Sequence, residues 1–127
     1  MCSFLAQETV EIVVEGQLKL MESWDENLSD DTSDAFIEMK KSVEEEMDKV
    51  FCNDTDSTNN TCHTEVTGFS NGSIIVMFVI IRIEFIEFLP TVAEILYHMK
   101  DALHEADGFL GQYSVDKESV ELSKYEY

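Results

Sequence analysis

Ser73 stands between a turn-forming glycine and the densest apolar run of the chain, in the stretch FSNGSIIVMFVIIRIEF. A serine hydroxyl is a nucleophile once it is activated, and the Ser73 Oγ is covalently placed to attack the carbonyl carbon of Gly72. Two interpretations follow. Asn71 and Gly72 form a plain hairpin in which Ser73 has no chemical role, or the backbone cuts itself between Gly72 and Ser73.

Catalysis on a separate substrate is not indicated by the sequence. A nucleophilic serine enzyme needs a base beside its nucleophile, yet the chain has no G-x-S-x-G elbow and no histidine visibly tied to Ser73. We therefore expect no enzyme activity in trans, and at most a single-turnover cleavage in cis.

Metal-binding patterns are weak. The spacing of a calcium-binding EF-hand loop is met by four residues, Asp54, Asp56, Thr58 and Glu65. However, Asn59 stands where that loop requires glycine, and the residues that follow have the character of a strand. The histidines show no zinc-ligand spacing. We expect no metal and no cofactor.

The net charge of −19, from 27 acidic and 8 basic residues, limits the classes of partner. Phosphate binding needs clustered Lys and Arg, and Arg82 is the only arginine. Nucleic acid and anionic membrane surfaces are therefore poor partners. An acyl phosphatase activity is also not indicated, because it needs a basic phosphate-binding loop. The acidity suits an extracellular milieu or a cationic partner, and we expect the run Glu44, Glu45, Glu46 to be a solvated helix face.

The apolar run from 74 to 81 is too short to insert into a membrane. A spanning helix needs about 20 apolar residues, and this run has eight, many of them β-branched. Such a run favours a buried central strand. The first six residues also lack the basic and apolar regions of a signal peptide.

Four N-x-S/T sequons indicate a secretory route, with acceptor residues Asn27, Asn53, Asn59 and Asn71. One sequon arises easily by chance, but four in 127 residues are more informative. On this interpretation the chain is a piece of a larger protein whose targeting signals lie elsewhere.

Cys52 and Cys62 flank the polar tract NDTDSTNNT. In an oxidising compartment they could pair and close this loop, with a gain of about 2–3 kcal/mol. In the cytosol both would remain free thiols. Cys2 is left over near the N-terminus.

The remaining pattern predicts one domain in which strands and helices alternate. The predicted elements are a strand at 8–20 with a possible bulge at Gly16, a helix at 34–51, strands at about 63–70 and 73–84, a helix from Pro90 to Gly108, and a strand within 112–123. Asn71-Gly72 is the strongest short hairpin signal. The order β-α-β-β-α-β predicts a ferredoxin-like α+β sandwich, an antiparallel sheet with two helices on one face.

These residues resemble a SEA domain, the module named for sperm protein, enterokinase and agrin. Trp24, Leu28 and Ser33 match its W-x3-L-x4-S connector, and FSNGSIIV matches its F-x2-G-S-V-V-V signature, with isoleucines replacing two valines. Val50 and Phe51 match the helix end. The resemblance covers 7–123, which leaves flanks at 1–6 and 124–127. The departures are the cysteine-flanked loop and the high negative charge.

The resemblance implies autoproteolysis between Gly72 and Ser73 during folding in the secretory pathway. Ser73 would be the nucleophile of an N→O acyl shift at the Gly72 carbonyl, and strain from strand pairing would replace a catalytic base. The two fragments would remain together as a non-covalent heterodimer at the cell surface, beside neighbouring domains of a larger membrane-anchored protein.

Two alternatives remain open at this point. In the first, the same fold is an uncleaved spacer or adhesion module. In the second, the chain is an unrelated ferredoxin-like cytosolic protein in which the sequons occur by chance.

Overall fold

A computed structural model describes residues 8–52 and 62–127. The strands are β1 Thr9–Leu20, β2 Cys62–Asn71, β3 Ile74–Phe85, β4 Phe109–Leu110 and β5 Tyr113–Glu126. The helices are α1 Asp34–Phe51 and α2 Val92–Glu105, and 3₁₀ turns lie at Glu26–Ser29 and Ile86–Phe88.

The five strands form one antiparallel sheet in the order β2-β3-β1-β5-β4. This confirms the predicted α+β sandwich, and β1 and β3 lie inside the sheet with a neighbouring strand on each side. The two-residue strand β4 was not predicted. It pairs only with the start of β5, where Leu110 lies opposite Tyr113.

Both helices pack against one face of the sheet. Ile12 and Val14 of β1 and Phe78 of β3 are buried there, together with Met47 of α1 and Leu103 of α2. The prediction that the apolar run forms a central strand is therefore confirmed. Its even-numbered residues Ile74 to Ile80 lie in the core, whereas the odd-numbered ones from Ile75 to Ile81 point to the other face and are half-buried.

The contacts of Trp24, Leu28 and Ser33 in the connector between β1 and α1 account for their spacing. Leu28 is buried in the core. The Ser33 Oγ accepts a hydrogen bond from the Phe36 N–H (3.1 Å), which caps α1, and donates one to the Asn27 carbonyl (2.7 Å). The Trp24 Nε1–H donates to the Glu26 carboxylate (3.0 Å).

The start of α2 differs from the prediction. Pro90 lies outside the helix, and Thr91 is its N-cap, in a capping box with Glu94. At the other end Asp107, at φ 60°, takes the left-handed position. Gly108 follows it and donates its N–H to the Leu103 carbonyl (2.7 Å), which closes a Schellman motif.

Residues 116–119, with the sequence DKES, lie inside β5. The last of these residues, Ser119, accepts a hydrogen bond through Oγ from the Lys19 N–H of β1 (2.8 Å), which bridges the irregular part of the ladder. The irregularity predicted at Gly16 is on the opposite strand. Gly16 pairs with Leu122 and Glu15 with Lys124, so the extra residue belongs to β5.

The predicted disulfide is present, with Cys52 and Cys62 bonded at a Cα–Cα distance of 5.4 Å. Asn53, Asn59, Cys2 and most of the EF-hand-like pattern lie outside the described residues. Within 8–52 and 62–127, no group of three His, Cys, Asp or Glu side chains could hold a metal ion. No helix in these ranges is long and apolar enough to cross a membrane.

Candidate functional site

The β2–β3 hairpin contains the predicted cleavage site. Asn71 pairs with Ile74, so Gly72 and Ser73 alone reverse the chain. Both have positive φ angles, 142° for Gly72 and 56° for Ser73. Two-residue hairpin loops with positive φ match the right-handed twist of the flanking strands, but a serine reaches this region only at a cost of about 1–3 kcal/mol.

The position of the turn corrects the prediction from the Asn-Gly pair. That pair would form the centre of the turn if Ser70 lay opposite Ser73. The strands instead take a register in which Ser73 occupies the second central position, where glycine is preferred. Asn-Gly therefore favours one position of the turn and the register of the strands imposes another. As a result, the bond between Gly72 and Ser73 lies at the centre of the turn.

Phe69 anchors the register just before the turn. It is only 7% exposed, lies opposite Val76, and meets the ring of Phe36 on α1 edge-to-face with centroids 5.3 Å apart. Its place in the core fixes the part of β2 that leads into Asn71.

A bulge in β2 supplies a further constraint. Val66 lies opposite Phe78 and Gly68 opposite Met77, so one extra residue, Thr67, is inserted in β2. The Thr67 hydroxyl donates to the Met77 carbonyl (3.2 Å). Because of the bulge, Val66 and Phe69 both point into the core although they are three positions apart, a spacing that places residues of a regular strand on opposite faces.

Two carboxylates of α1 hold the outer edge of β2. Asp48 accepts a hydrogen bond from the Thr64 N–H, and Glu44 accepts one from the Val66 N–H, each at 2.8 Å. The Glu44 side chain is only 19% exposed and also pairs with Lys40. The expectation of a solvated face is therefore wrong for Glu44, although Glu45 is exposed.

The role of Glu44 and Asp48 was not predicted. The available signal was their i,i+4 spacing, which places both carboxylates on one side of α1. Together they cap backbone donors that an edge strand otherwise leaves open to pairing with another chain.

Gly72 can be replaced only with strain. A Cβ at this position would lie 3.0 Å from Cδ1 of Ile75, and its φ of 142° is a conformation that L side chains rarely adopt. The carbonyl at the predicted cleavage site therefore belongs to the residue type that this backbone requires.

His63 is not near Ser73. It lies opposite Ile81, seven residues along β3 from Ile74, or about 23 Å at the usual rise per residue. Its Nδ1 is 3.4 Å from the Asp48 carboxylate. His63 is therefore in no position to act as the base for the Ser73 hydroxyl.

The two sequons within the described residues lie in different settings. Asn27 is exposed in the 3₁₀ turn before α1, and Asn71 is exposed at the end of β2. The structure places Asn71 next to Gly72 and Ser73, so one sequon coincides with the predicted cleavage site.

The protein is an α+β sandwich in which the two-residue turn Gly72–Ser73 leads directly into the buried strand β3. The model of the SEA domain family matches residues 12–102, which is more than half of the chain. The chain belongs to the SEA domain family, whose members occur in extracellular proteins. A search of curated proteins found no match. The interpretation as an unrelated ferredoxin-like protein is therefore wrong.

Proposed function

We propose that this SEA domain cleaves its own backbone between Gly72 and Ser73 and keeps the two fragments as a non-covalent heterodimer. The observation that carries the proposal is the two-residue link, in which Ser73 is held at φ 56° between strands whose register is fixed elsewhere. The reaction is a single turnover in cis, with no substrate in trans.

The chemistry uses the chain's own atoms. The Ser73 Oγ attacks the Gly72 carbonyl carbon, the C–Oγ bond forms, and the C–N bond breaks as the hydroxyl proton passes to the Ser73 nitrogen. The product is an ester with a free amine. Water then attacks the ester, which leaves a carboxylate on Gly72 and restores the Ser73 hydroxyl beside its new amino terminus.

Strain supplies the activation in this proposal. The nucleophile and the carbonyl belong to adjacent residues, so the entropy of bringing them together is already spent. A backbone conformation of the kind seen at Ser73 costs on the order of 1–3 kcal/mol. Each ~1.4 kcal/mol released at the transition state raises the rate about tenfold, and the position of His63 fits a mechanism without a histidine base.

The fragments stay together because their strands alternate in the sheet. The N-terminal fragment contains β1 and β2, and the C-terminal fragment contains β3 and β5. In the sheet β3 lies between β2 and β1, and β1 lies between β3 and β5. Separating the fragments therefore breaks three ladders and opens the core.

The cellular setting we propose is the secretory pathway and the cell surface. The Cys52–Cys62 disulfide, the sequons and the charge of −19 fit an extracellular glycoprotein. The domain would sit among neighbouring domains of a larger membrane-anchored protein. Shear or partial unfolding would then release the ectodomain from its membrane stub.

A denaturing gel of secreted protein tests the proposal. Two bands are expected, with mass spectrometry placing the new termini at Gly72 and Ser73. A single intact band from folded, secreted protein would contradict self-cleavage and would leave the uncleaved spacer or adhesion module as the function.

A further inference from the structure

The residues of the proposed cleavage site also form a complete glycosylation sequon. Asn71-Gly72-Ser73 reads N-x-S, and its third residue is the proposed nucleophile. Asn71 itself is exposed at the end of β2. A single hydroxyl, that of Ser73, is therefore required by two different modifications.

We propose that Asn71 carries an N-linked glycan that is added before the backbone is cut, so that the mature N-terminal fragment bears a glycan on its penultimate residue. This inference rests on the proposed self-cleavage for the position of the new terminus. The glycan itself depends only on the sequon and on a secretory route.

The transfer step needs a lipid-linked oligosaccharide pyrophosphate and the membrane enzyme that uses it. The Asn71 Nδ2 attacks C1 of the first sugar, the C1–Nδ2 bond forms, and the C1–O bond to the pyrophosphate breaks. The amide nitrogen loses one proton, and the lipid pyrophosphate leaves. No atom of the Gly72–Ser73 bond changes, so the cleavage chemistry remains available afterwards.

The hairpin geometry sets the order of the two modifications. An acceptor tripeptide must be open to the enzyme, whereas in the fold Gly72 and Ser73 are both turned back at positive φ and Asn71 is paired with Ile74. Cleavage needs this folded turn, because the turn carries the strain. After cleavage Asn71 and Ser73 belong to different fragments, so the sequon no longer exists.

Chain synthesis leaves time for the glycan to be added first. The turn cannot be fixed until β3 has been made, and β3 has 12 residues. At about 5–20 residues per second this takes about 0.6 to 2.4 seconds. The β1–β5 ladder requires a further 40 residues or so, since β5 ends at Glu126. The sequon is therefore open in the nascent chain and closed in the folded domain.

The folded protein has room for the product. The Asn71 side chain is exposed at the end of β2, two residues beyond Phe69, which is the last buried residue of that strand. A solvated glycan on Asn71 leaves Phe69 and the register unchanged. We therefore expect cleavage to proceed at a similar rate with and without it.

The experiment expresses the full chain behind a cleavable signal sequence in mammalian cells, with pulse labelling. Asn71→Gln removes the sequon and keeps the Gly72–Ser73 bond. Ser73→Thr keeps the sequon, and Ser73→Ala removes it. Asn27→Gln is the matched control, since it removes an exposed sequon that does not contain the Gly72–Ser73 bond. Occupancy of Asn71 is read by mass spectrometry of the peptide around it, before and after peptide N-glycosidase.

We expect the glycan at Asn71 on the uncut precursor at the earliest time, and unchanged occupancy in the fragment ending at Gly72 throughout the chase. Asn71→Gln should lose one glycan, with a cleavage rate within about twofold of the parent and of Asn27→Gln. Secreted fragments that end at Gly72 with Asn71 unmodified in all molecules would overturn the inference. A glycosylated Asn71 on protein that is never cut would instead refute the proposed self-cleavage and leave the glycan site standing.

Discussion

Asn71 lies directly opposite Ile74 in the β2–β3 ladder, which leaves only Gly72 and Ser73 to reverse the chain. Because of this pairing, the conformation of the Gly72–Ser73 peptide bond depends on how β2 packs along its whole length. Phe69, the bulge at Thr67 and the carboxylates of α1 fix β2, and the turn must adopt whatever geometry remains.

Lengthening the turn should uncouple stability from cleavage. Two glycines inserted between Asn71 and Ser73 relax the link, so we expect the domain to be as stable or more stable but to cleave on the order of ten- to a hundredfold more slowly, as losing ~1–3 kcal/mol of strain predicts. The same insertion after Gly111, in the turn before β5, is the control and should leave the cleavage rate unchanged. Equal cleavage rates in the two insertion variants, measured by gel time course, would contradict the account.

Substitution of Ser73 tests the nucleophile. We expect Ser73→Ala to leave an intact, folded chain, and Ser73→Cys and Ser73→Thr to cleave slowly through their own nucleophiles. Threonine should be slow because a β-branched side chain is disfavoured at φ 56°. Samples are compared after deglycosylation, because the alanine change also removes the sequon. Efficient cutting of the alanine variant at the same bond would rule out the mechanism.

Removing the anchor of β2 should weaken both the fold and the cut. Phe69→Ala empties a buried site and is expected to lower the free energy of unfolding by about 3–5 kcal/mol. It should also slow cleavage, since β2 no longer holds its register against the turn. Phe88→Ala is the matched control: this ring is 68% exposed, so its loss should change stability by about 0.5 kcal/mol or less. A Phe69→Ala variant that folds and cleaves at the parental rate would show that strand register does not drive the reaction.

The disulfide should contribute stability without taking part in the chemistry. Replacing both Cys52 and Cys62 by serine is expected to lower the free energy of unfolding by about 2–3 kcal/mol. Without the disulfide, the loop between these two positions, ten residues apart, is no longer closed in the unfolded chain, so the unfolded chain gains conformational entropy. Urea unfolding of the uncut Ser73→Ala background measures this. Non-reducing peptide mapping of secreted protein should find the two cysteines paired, and finding both thiols free would refute the pairing.

The helices and strands could be predicted because their signals are local. Residues 34–51 form α1 as predicted, since Ser33 caps the first turn and a regular apolar stripe faces the sheet. The apolar run could likewise be placed as the central strand. The prediction that Pro90 lies in the first helical turn is wrong because Thr91 and Glu94 form a capping box, so that α2 starts only after Thr91; the T-x-x-E spacing of this box is present in the sequence.

The position of the hairpin turn could not be predicted from local residues. Asn-Gly favours the centre of a turn, but the β2 register is fixed by Phe69, by the bulge at Thr67 and by hydrogen bonds from strand to helix. These contacts join residues far apart in sequence. At the Gly72–Ser73 link, tertiary packing overrides the local preference of Asn-Gly for the centre of the turn. Strained backbone and function are expected to coincide at such a position.

The rate of self-cleavage during refolding distinguishes strain from side-chain catalysis. Uncut precursor is refolded at several sub-denaturing urea concentrations, cleavage is followed against time, and the series is repeated with His63→Ala. We predict that urea slows the cut, because it weakens the strand pairing that strains Gly72 and Ser73, and that His63→Ala cleaves like the parent, because His63 lies about 23 Å along β3 from the turn. A rate unaffected by urea but abolished by the histidine substitution would contradict strain as the source of catalytic power.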